Sequence, residues 1–245
     1  MKKITLFLAI AISFLTISCS LQKGYVKLES KSTSADKVGT DVIRKFIKDN
    51  PKASIVVTAP NSKEKSTQSD PNSNIYNVIE KELLRSGFDV KDRGLYNEVV
   101  SKSKEINYSE LKKLTGTDII LELVKINSDI PYKTNKWYKK DGKEMIYDGE
   151  FVLSGSSIEF KFTLIEGNKY AGSYTYNYVP CTEQTDNCRC EVAYKNMPSK
   201  VYPWLSFCRD HNTKTASKGY ESSGTDYLAE FVKVNVVNMI EDLRR

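Results

Sequence analysis

The hydrophobic pattern changes period several times along the first half of the chain, and this alternation constrains the fold most strongly. Apolar residues recur at helical spacing over residues 36–50 and again over residues 73–86. Two short apolar runs, ASIVVTA at residues 53–59 and DIILELVKI at residues 118–126, are typical of buried strands. Helices that alternate with buried strands predict an α/β domain, in which helices pack on a mixed sheet.

The second half of the chain has a period-two pattern instead. In residues 158–164, isoleucine, phenylalanine and leucine alternate with polar residues, which predicts a half-buried strand. Glu166–Lys169 then predicts a hairpin turn before a returning strand. We therefore expect a sheet of about four or five strands. An apolar stripe over residues 225–245 predicts a final helix.

The returning strand places four tyrosines on one face. They are Tyr170, Tyr174, Tyr176 and Tyr178. A two-residue turn at Gly167–Asn168 directs these side chains away from the Ile/Phe core, whereas a three-residue turn directs them toward it. Either the tyrosines are covered by another segment, or they form an exposed surface that binds a partner.

The amino terminus resembles the export signal of a bacterial lipoprotein. Two lysines and an apolar run make up most of residues 1–18, and the run is shorter than the roughly 20 residues of a membrane-spanning helix. We predict a signal peptide cleaved before Cys19, acylation of that cysteine, and a polar, flexible tether over residues 19–35. The resemblance, with Ser20 after the cysteine, implies an outer-membrane protein that faces the periplasm or the cell surface. The alternative is an ordinary signal peptide followed by an incidental cysteine.

Four cysteines remain after Cys19, an even number that favours disulfides in an exported chain. They are Cys181, Cys188, Cys190 and Cys208. A bond between Cys188 and Cys190, which one residue separates, is strained, so Cys181 and Cys208 each pair with one of these two. The alternative is a zinc site made by the last three cysteines and His211, but a lone histidine and irregular spacing argue against it. We expect no metal and no cofactor.

The composition indicates neither catalysis nor nucleic-acid binding. None of the common nucleophile, phosphate-binding, zinc-hydrolase or dinucleotide motifs occurs, and His211 is the only histidine. The formal charge of +6 falls to +4 when the two signal-peptide lysines are removed, and the remaining excess is spread along the chain. We therefore expect a non-enzymatic protein that binds no nucleic acid.

Two segments of the chain resemble the CsgG-like superfamily, which includes CsgG, FlgO, LpoB and the amino-terminal domain of TolB. They are NSNIYNVIEKELLRSGFDVKDRGLYNEVV and SELKKLTGTDIILELVKI. The matching positions are Gly87–Phe88, Asp92–Arg93 and Gly116–Asp118. We predict a single CsgG/LpoB-like α/β domain over residues 36–245, in which residues 180–224 form an irregular, disulfide-tied insertion.

The matching Asp-Arg pair is predicted to be structural. Asp92 is placed to cap the helix that follows it. Arg93 lies near the positive end of that helix, so we expect it to reach a nearby carboxylate or carbonyl.

The resemblance implies an outer-membrane lipoprotein that binds another envelope protein in an accessory assembly or regulatory role. The contact surface is expected on the tyrosine strand and around Trp204. Residues 128–149 contain five lysines and a proline, so we do not expect the pore function of the secretion members. Two alternatives stay open: an oligomeric secretion or scaffold component, and a glycan-binding or cell-wall-binding module.

Overall fold

The computed structural model describes residues 21–59, 73–102, 108–180, 204–209, 216–217, 220–221 and 225–245. Five α-helices lie within these ranges: α1 (Thr40–Asp49), α2 (Ser73–Arg85), α3 (Arg93–Lys102), α4 (Tyr108–Thr115) and α5 (Thr225–Leu243). The strands there are β1 (Leu21–Tyr25), β2 (Leu28–Lys31), β3 (Lys37–Val38), β4 (Ser54–Thr58), β5 (Asp89–Val90), β6 (Ile119–Tyr138), β7 (Glu144–Leu164), β8 (Lys169–Pro180), β9 (Trp204–Arg209), β10 (Ala216–Ser217) and β11 (Tyr220–Glu221).

The strands form one mixed sheet, which confirms the predicted α/β class. Its body has the order β5-β4-β6-β7-β8, and both β2 and β3 pair with β8. β4 runs parallel to β5 and β6, whereas β6, β7 and β8 are antiparallel. A second part, β1 with β9, β10 and β11, joins β6 at its far end. The sheet thus has more strands than the four or five predicted, since polar segments also pair.

Helices cover both faces of the sheet body. α1, α2 and α5 share the main hydrophobic core with the alternate residues Ile55 and Val57 of β4. α3 and α4 pack on the other face around Val56, Ile120 and Ile165. All residues of β4 are buried, as its unbroken apolar run predicts.

The register between β7 and β8 determines which way the tyrosines point. Residues 165–168 form a turn, so Leu164 pairs with Lys169, and a bulge then places Tyr174 opposite Phe160. Three of the four tyrosines consequently face the core and are buried: Tyr174, Tyr176 and Tyr178. The interpretation that another segment covers them is correct, and that of an exposed surface is wrong for these three.

The segment predicted to be a flexible tether contributes two strands instead. Residues 21–31 include β1 and β2, which pair with β9 and β8. Tyr25, Val26 and Leu28 are buried, and burial of these apolar side chains offsets the entropy lost when a polar segment is ordered.

Part of the predicted irregular insertion is also regular, since residues 204–209 form β9. Cys19, Cys181, Cys188, Cys190 and His211 lie outside the described residues, and Cys208 is described only by its backbone position in β9. The acylation, the disulfide pairing and the domain boundaries therefore stay predictions. Among the described residues, none of the helices combines the length and the apolar character that crossing a bilayer requires.

Candidate interaction surface

A two-stranded arm extends from the body of the sheet. We use "β6–β7 arm" for residues 127–138 of β6, residues 144–155 of β7 and the turn between them, residues 139–143. β8 pairs with β7 only from Ser156 onward. Within the described part of the chain, the one strand pairing that the arm makes outside itself joins Tyr138 to β1. Apart from that pairing, neither long edge of the arm has a strand partner among the described residues, and an edge of this kind can pair with another strand.

Part of the arm is buried by aromatic packing. Its buried members are Trp137, Tyr138, Tyr147, Phe151 and Leu153. The Tyr138 ring stacks on the Tyr25 ring of β1, with 5.7 Å between centroids. Gly24 of β1 lies so close to the arm that a Cβ atom there would overlap the Trp137 ring and the Tyr138 carbonyl. The arm is therefore fixed against β1 near its tip.

The arm also carries two exposed apolar side chains. Ile146 is 67% exposed and Val152 is 64% exposed, and both belong to β7. Lys133 lies opposite Val152 in the register, and its Nζ is 3.4 Å from a carboxylate oxygen of Glu150. The exposed part of the arm thus combines apolar side chains with a screened ion pair, a mixture that protein interfaces also have.

The tip of the arm is rich in lysine. The turn closes with the Gly142 amide donating to the Lys139 carbonyl at 2.8 Å, and Gly142 has a φ of 84°. The tip and β1 enclose a shallow hollow of about 430 Å³, which is lined by Gln22, Lys23, Trp137, Lys139, Lys140 and Asp141. Together with Lys143, four lysines stand here against one aspartate.

The Asp92–Arg93 pair forms a corner between α2 and α3. Asp92 Oδ1 accepts a hydrogen bond from the Leu95 amide at 2.6 Å, which caps α3. The Arg93 guanidinium lies 4.5 Å from the centroid of the Tyr76 ring, and its Nε is 3.9 Å from Glu80 Oε1. Burial raises the pKa of Glu80, and the charge of Arg93 partly offsets this rise. Arg93 thus reaches a carboxylate, as we expected, and also an aromatic face on α2.

The third matched position, Gly116–Asp118, closes the loop before β6. The Ser54 hydroxyl lies 2.7 Å from Asp118 Oδ2, and Lys112 Nζ lies 3.2 Å from Asp118 Oδ1. Burial raises the pKa of Asp118, but the hydrogen bonds from Ser54 and Lys112 outweigh it and hold the pKa below its ordinary value. Lys112 Nζ also lies 3.6 Å from a carboxylate oxygen of Glu166. Lys112 lines a neighbouring hollow of about 580 Å³, and its charge there is already paired with these two carboxylates.

The tyrosine strand is tied to α5 by a charged cluster. The Tyr174 hydroxyl donates to Asp242 Oδ2 at 2.9 Å, and Lys37 Nζ contacts Asp242 Oδ1 at 2.7 Å. Arg44 lies 3.5 Å from the same carboxylate. Burial raises the pKa of Tyr174 and also that of Asp242, but hydrogen bonds from Lys37 and Tyr174 outweigh burial and lower the pKa of Asp242 overall. The cluster joins β3, α1, β8 and α5.

Tyr170 and Trp204, the other predicted contact residues, lie in different parts of the sheet. Tyr170 is half exposed, and its hydroxyl contacts Ser173 Oγ at 3.0 Å and the Val38 carbonyl at 3.4 Å. Trp204 belongs to β9 and is described by its backbone alone, which pairs with Tyr25 of β1. The structure therefore does not bring the predicted residues together into one surface.

Sequence reasoning missed the β6–β7 arm because Ser128, Asp129 and Pro131 interrupt the apolar run of β6. The structure accommodates them with shifts in register between Asn127 and Ile130. One signal was present: Asp141–Gly142, a common hairpin dipeptide, lies between the aromatic segments NKWY and MIYDGEF.

Among the described residues, no group of three or more histidine, cysteine, aspartate or glutamate side chains is placed to hold a metal ion.

Comparisons with known proteins give only weak likenesses. No family model matches the chain, and no curated protein sequence matches it. Among solved structures, a PelC dodecamer from Paraburkholderia phytofirmans is 9% identical, with a TM-score of 0.31, over 90% of this chain and 96% of that chain. A variant of the same PelC is 7% identical at the same TM-score and coverage. A PDZ domain protein from Parabacteroides distasonis is 10% identical, with a TM-score of 0.27, over 88% of this chain and 48% of that chain. Likenesses of this size do not assign the chain to a family.

Proposed function

We propose that this protein is a non-enzymatic outer-membrane lipoprotein that binds another envelope protein in an accessory assembly or regulatory role. The β6–β7 arm is the surface that makes the contact. The chain is held on the membrane through acylated Cys19, and its α/β body is of the CsgG/LpoB type.

The observation that carries the proposal is the exposure of the arm. Ile146 and Val152 are more exposed than any other large apolar side chain in the described part of the chain. They lie on a hairpin whose long edges lack strand partners there, apart from the pairing at Tyr138. Added strands and buried apolar side chains are a recurring mode of protein recognition. Burial of each such side chain contributes about 1.5–3 kcal/mol.

The family part of the proposal rests on the three matched positions. Gly87 has a φ of 85° directly after α2, Asp92 caps α3, and Asp118 accepts hydrogen bonds from Ser54 before β6. Each position thus has a structural reason in this chain. These structural roles support a scaffold shared with the CsgG-like proteins, and on this scaffold the arm determines which partner is bound.

The test is the mass of the lipidated protein, extracted from envelope membranes in mild detergent and measured by light scattering. We expect the wild-type chain in a particle heavier than one copy. The double variant Ile146→Ser/Val152→Ser is expected to weaken that complex by about tenfold or more, because two apolar contacts are lost.

The matched variant is Leu84→Ser/Leu114→Ser, which removes two exposed leucines from α2 and α4. We expect it to keep the complex intact. A complex that survives the arm variant unchanged would rule out the arm as the contact surface.

A homo-oligomeric secretion or scaffold component is the second candidate. The arm edges that have no strand partner among the described residues favour it as well, since an edge strand pairs equally with a copy of itself. The composition of the extracted particle separates the two: a second protein supports the accessory role, and copies of this chain alone support the oligomer. The glycan-binding alternative loses three of its proposed contact residues, because Tyr174, Tyr176 and Tyr178 are buried.

A further inference from the structure

We propose that the lysine-rich tip of the β6–β7 arm lies against the anionic phospholipids of the membrane to which the chain is anchored. The inference rests on the proposed acylation of Cys19, and it adds an orientation: the arm points toward the bilayer and the helical body points away from it.

The position of the amino terminus gives the first argument. Gln22 and Lys23 of β1 line the same hollow as Lys139 and Lys140 of the tip. Cys19 precedes Gln22 by three residues, and three residues of extended chain span no more than about 11 Å. An acyl chain on Cys19 therefore holds the tip close to the lipid headgroups.

The distribution of charge pairs gives the second argument. Farther along the arm, Lys133 and Lys136 pair with the carboxylates of Glu150 and Glu144. At the tip, no ion pair between described residues involves any of the lysines. These are Lys23, Lys139, Lys140 and Lys143. Unpaired positive charge thus concentrates at the end of the molecule that the anchor brings to the membrane.

The carboxylate of Asp141 offsets only one of these four positive charges. Asp141 Oδ1 accepts a hydrogen bond from the Lys143 amide at 3.0 Å, which shapes the turn. Among the described residues, it is the only acidic one that lines the hollow. The charge of the tip is therefore complementary to that of an anionic surface, and the attraction acts over the Debye length of about 8–10 Å.

The strands are long, so this orientation places the two ends of the sheet at different distances from the membrane. β6 has 20 residues. At about 3.3 Å per residue, the path along β6 from its first residue to the tip is roughly 65 Å. α1 and the turn after it lie at that far end, because they lead into β4, which pairs with the start of β6. Lys45, Lys48 and Lys52 belong to this far end and are exposed.

The experiment uses the whole mature chain, residues 19–245, with Cys19→Ser so that no acyl chain is attached. Every described contact is retained, because the described residues begin at 21. Binding is measured by cosedimentation with vesicles of phosphatidylcholine, with and without phosphatidylglycerol, at low and high salt. We expect binding only to vesicles that contain phosphatidylglycerol, and its loss at high salt.

The test variant is Lys139→Gln/Lys140→Gln/Lys143→Gln, and the matched variant is Lys45→Gln/Lys48→Gln/Lys52→Gln. The two carry the same net charge. The tip variant is expected to lose on the order of 100-fold in vesicle binding, about fivefold for each lysine. The matched variant is expected to bind like the parent chain. Both replace exposed or half-exposed side chains, so unchanged melting curves confirm that both fold.

Equal losses in the two variants would overturn the proposal, because binding would then follow net charge alone. Absence of binding to either kind of vesicle would also overturn it, and the tip would then be assigned to an acidic protein surface. Neither result affects the mass of the exported, acylated chain or the complex that depends on Ile146 and Val152. Failure of this inference is therefore distinguishable from failure of the proposed function.

Discussion

We expect the Asp242 carboxylate to contribute strongly to the stability of the fold, and Asp242→Ala tests that expectation. This carboxylate near the end of α5 contacts Lys37, Tyr174 and Arg44, so one substitution breaks the links from α5 to β3, β8 and α1. The Asp242 side chain is only 16% exposed, which limits the water that can replace it.

The cost of the substitution has two parts. Loss of the hydrogen bond from the buried Tyr174 hydroxyl to a charged acceptor costs about 1–2 kcal/mol. The contacts of Lys37 and Arg44 are half exposed, so each adds no more than about 1 kcal/mol. The free energy of unfolding is therefore expected to fall by about 1–4 kcal/mol. For a chain of this size, that corresponds to a drop in melting temperature of roughly 2–16 °C.

The assay is denaturant or thermal unfolding of the parent chain, Asp242→Ala, Tyr174→Phe and the double variant. Tyr174→Phe keeps the ring in the core and removes only the hydroxyl, so the double variant is expected to cost less than the sum of the two. Asp41→Ala is the matched variant, because its carboxylate is 98% exposed and lies 4.0 Å from Arg44. We expect it to change stability by less than about 0.5 kcal/mol. Equal effects of Asp242→Ala and Asp41→Ala, or strict additivity with Tyr174→Phe, would refute the cluster as a structural link.

Three further predictions concern the corner, the arm and acid. Arg93→Ala is expected to lower the melting temperature by about 2–4 °C, because contacts with Tyr76 and Glu80 worth roughly 1 kcal/mol are lost. An unchanged melting temperature together with lost partner binding would instead make Arg93 a partner-binding residue. Gly155→Val is expected to loosen the arm, because a Cβ there overlaps the Tyr132 ring, and hydrogen exchange of the arm amides should rise while that of α5 does not. The pKa of Asp242 is lowered from its ordinary value of 3.8, so the folded protein gains stability from this carboxylate at pH values above 3.8. This contribution is lost as pH falls through the lowered pKa of the folded state. The melting temperature of the parent chain should therefore fall below about pH 4, and that of Asp242→Ala should fall less.

The parts of the fold that depend on local hydrophobic period were predictable. The run SIVVT in β4 is buried on both faces, and α5 buries the stripe that includes Phe231, Val236 and Ile240, because period and burial are directly linked. The cap at Asp92 followed from the same local chemistry.

The parts that depend on register or on distant pairing were not predictable. The face of Tyr174 was decided by a four-residue turn and a bulge, which shift the register by one residue. β1 is polar by composition and forms a strand because β9, far away in the sequence, pairs with all five of its residues. The candidate arm was hidden for a similar reason, since its aromatic packing is completed by Tyr25 of β1, which is distant from the arm in the sequence.

The central claim is that the β6–β7 arm contacts another molecule in the cell envelope, and crosslinking in intact cells tests it most directly. A photoreactive amino acid is placed at Val152, and in a separate variant at Lys48 on α1, both of which are exposed. The account predicts a discrete crosslinked product from position 152 and none from position 48. No product from position 152, or the same products from both positions, would contradict it.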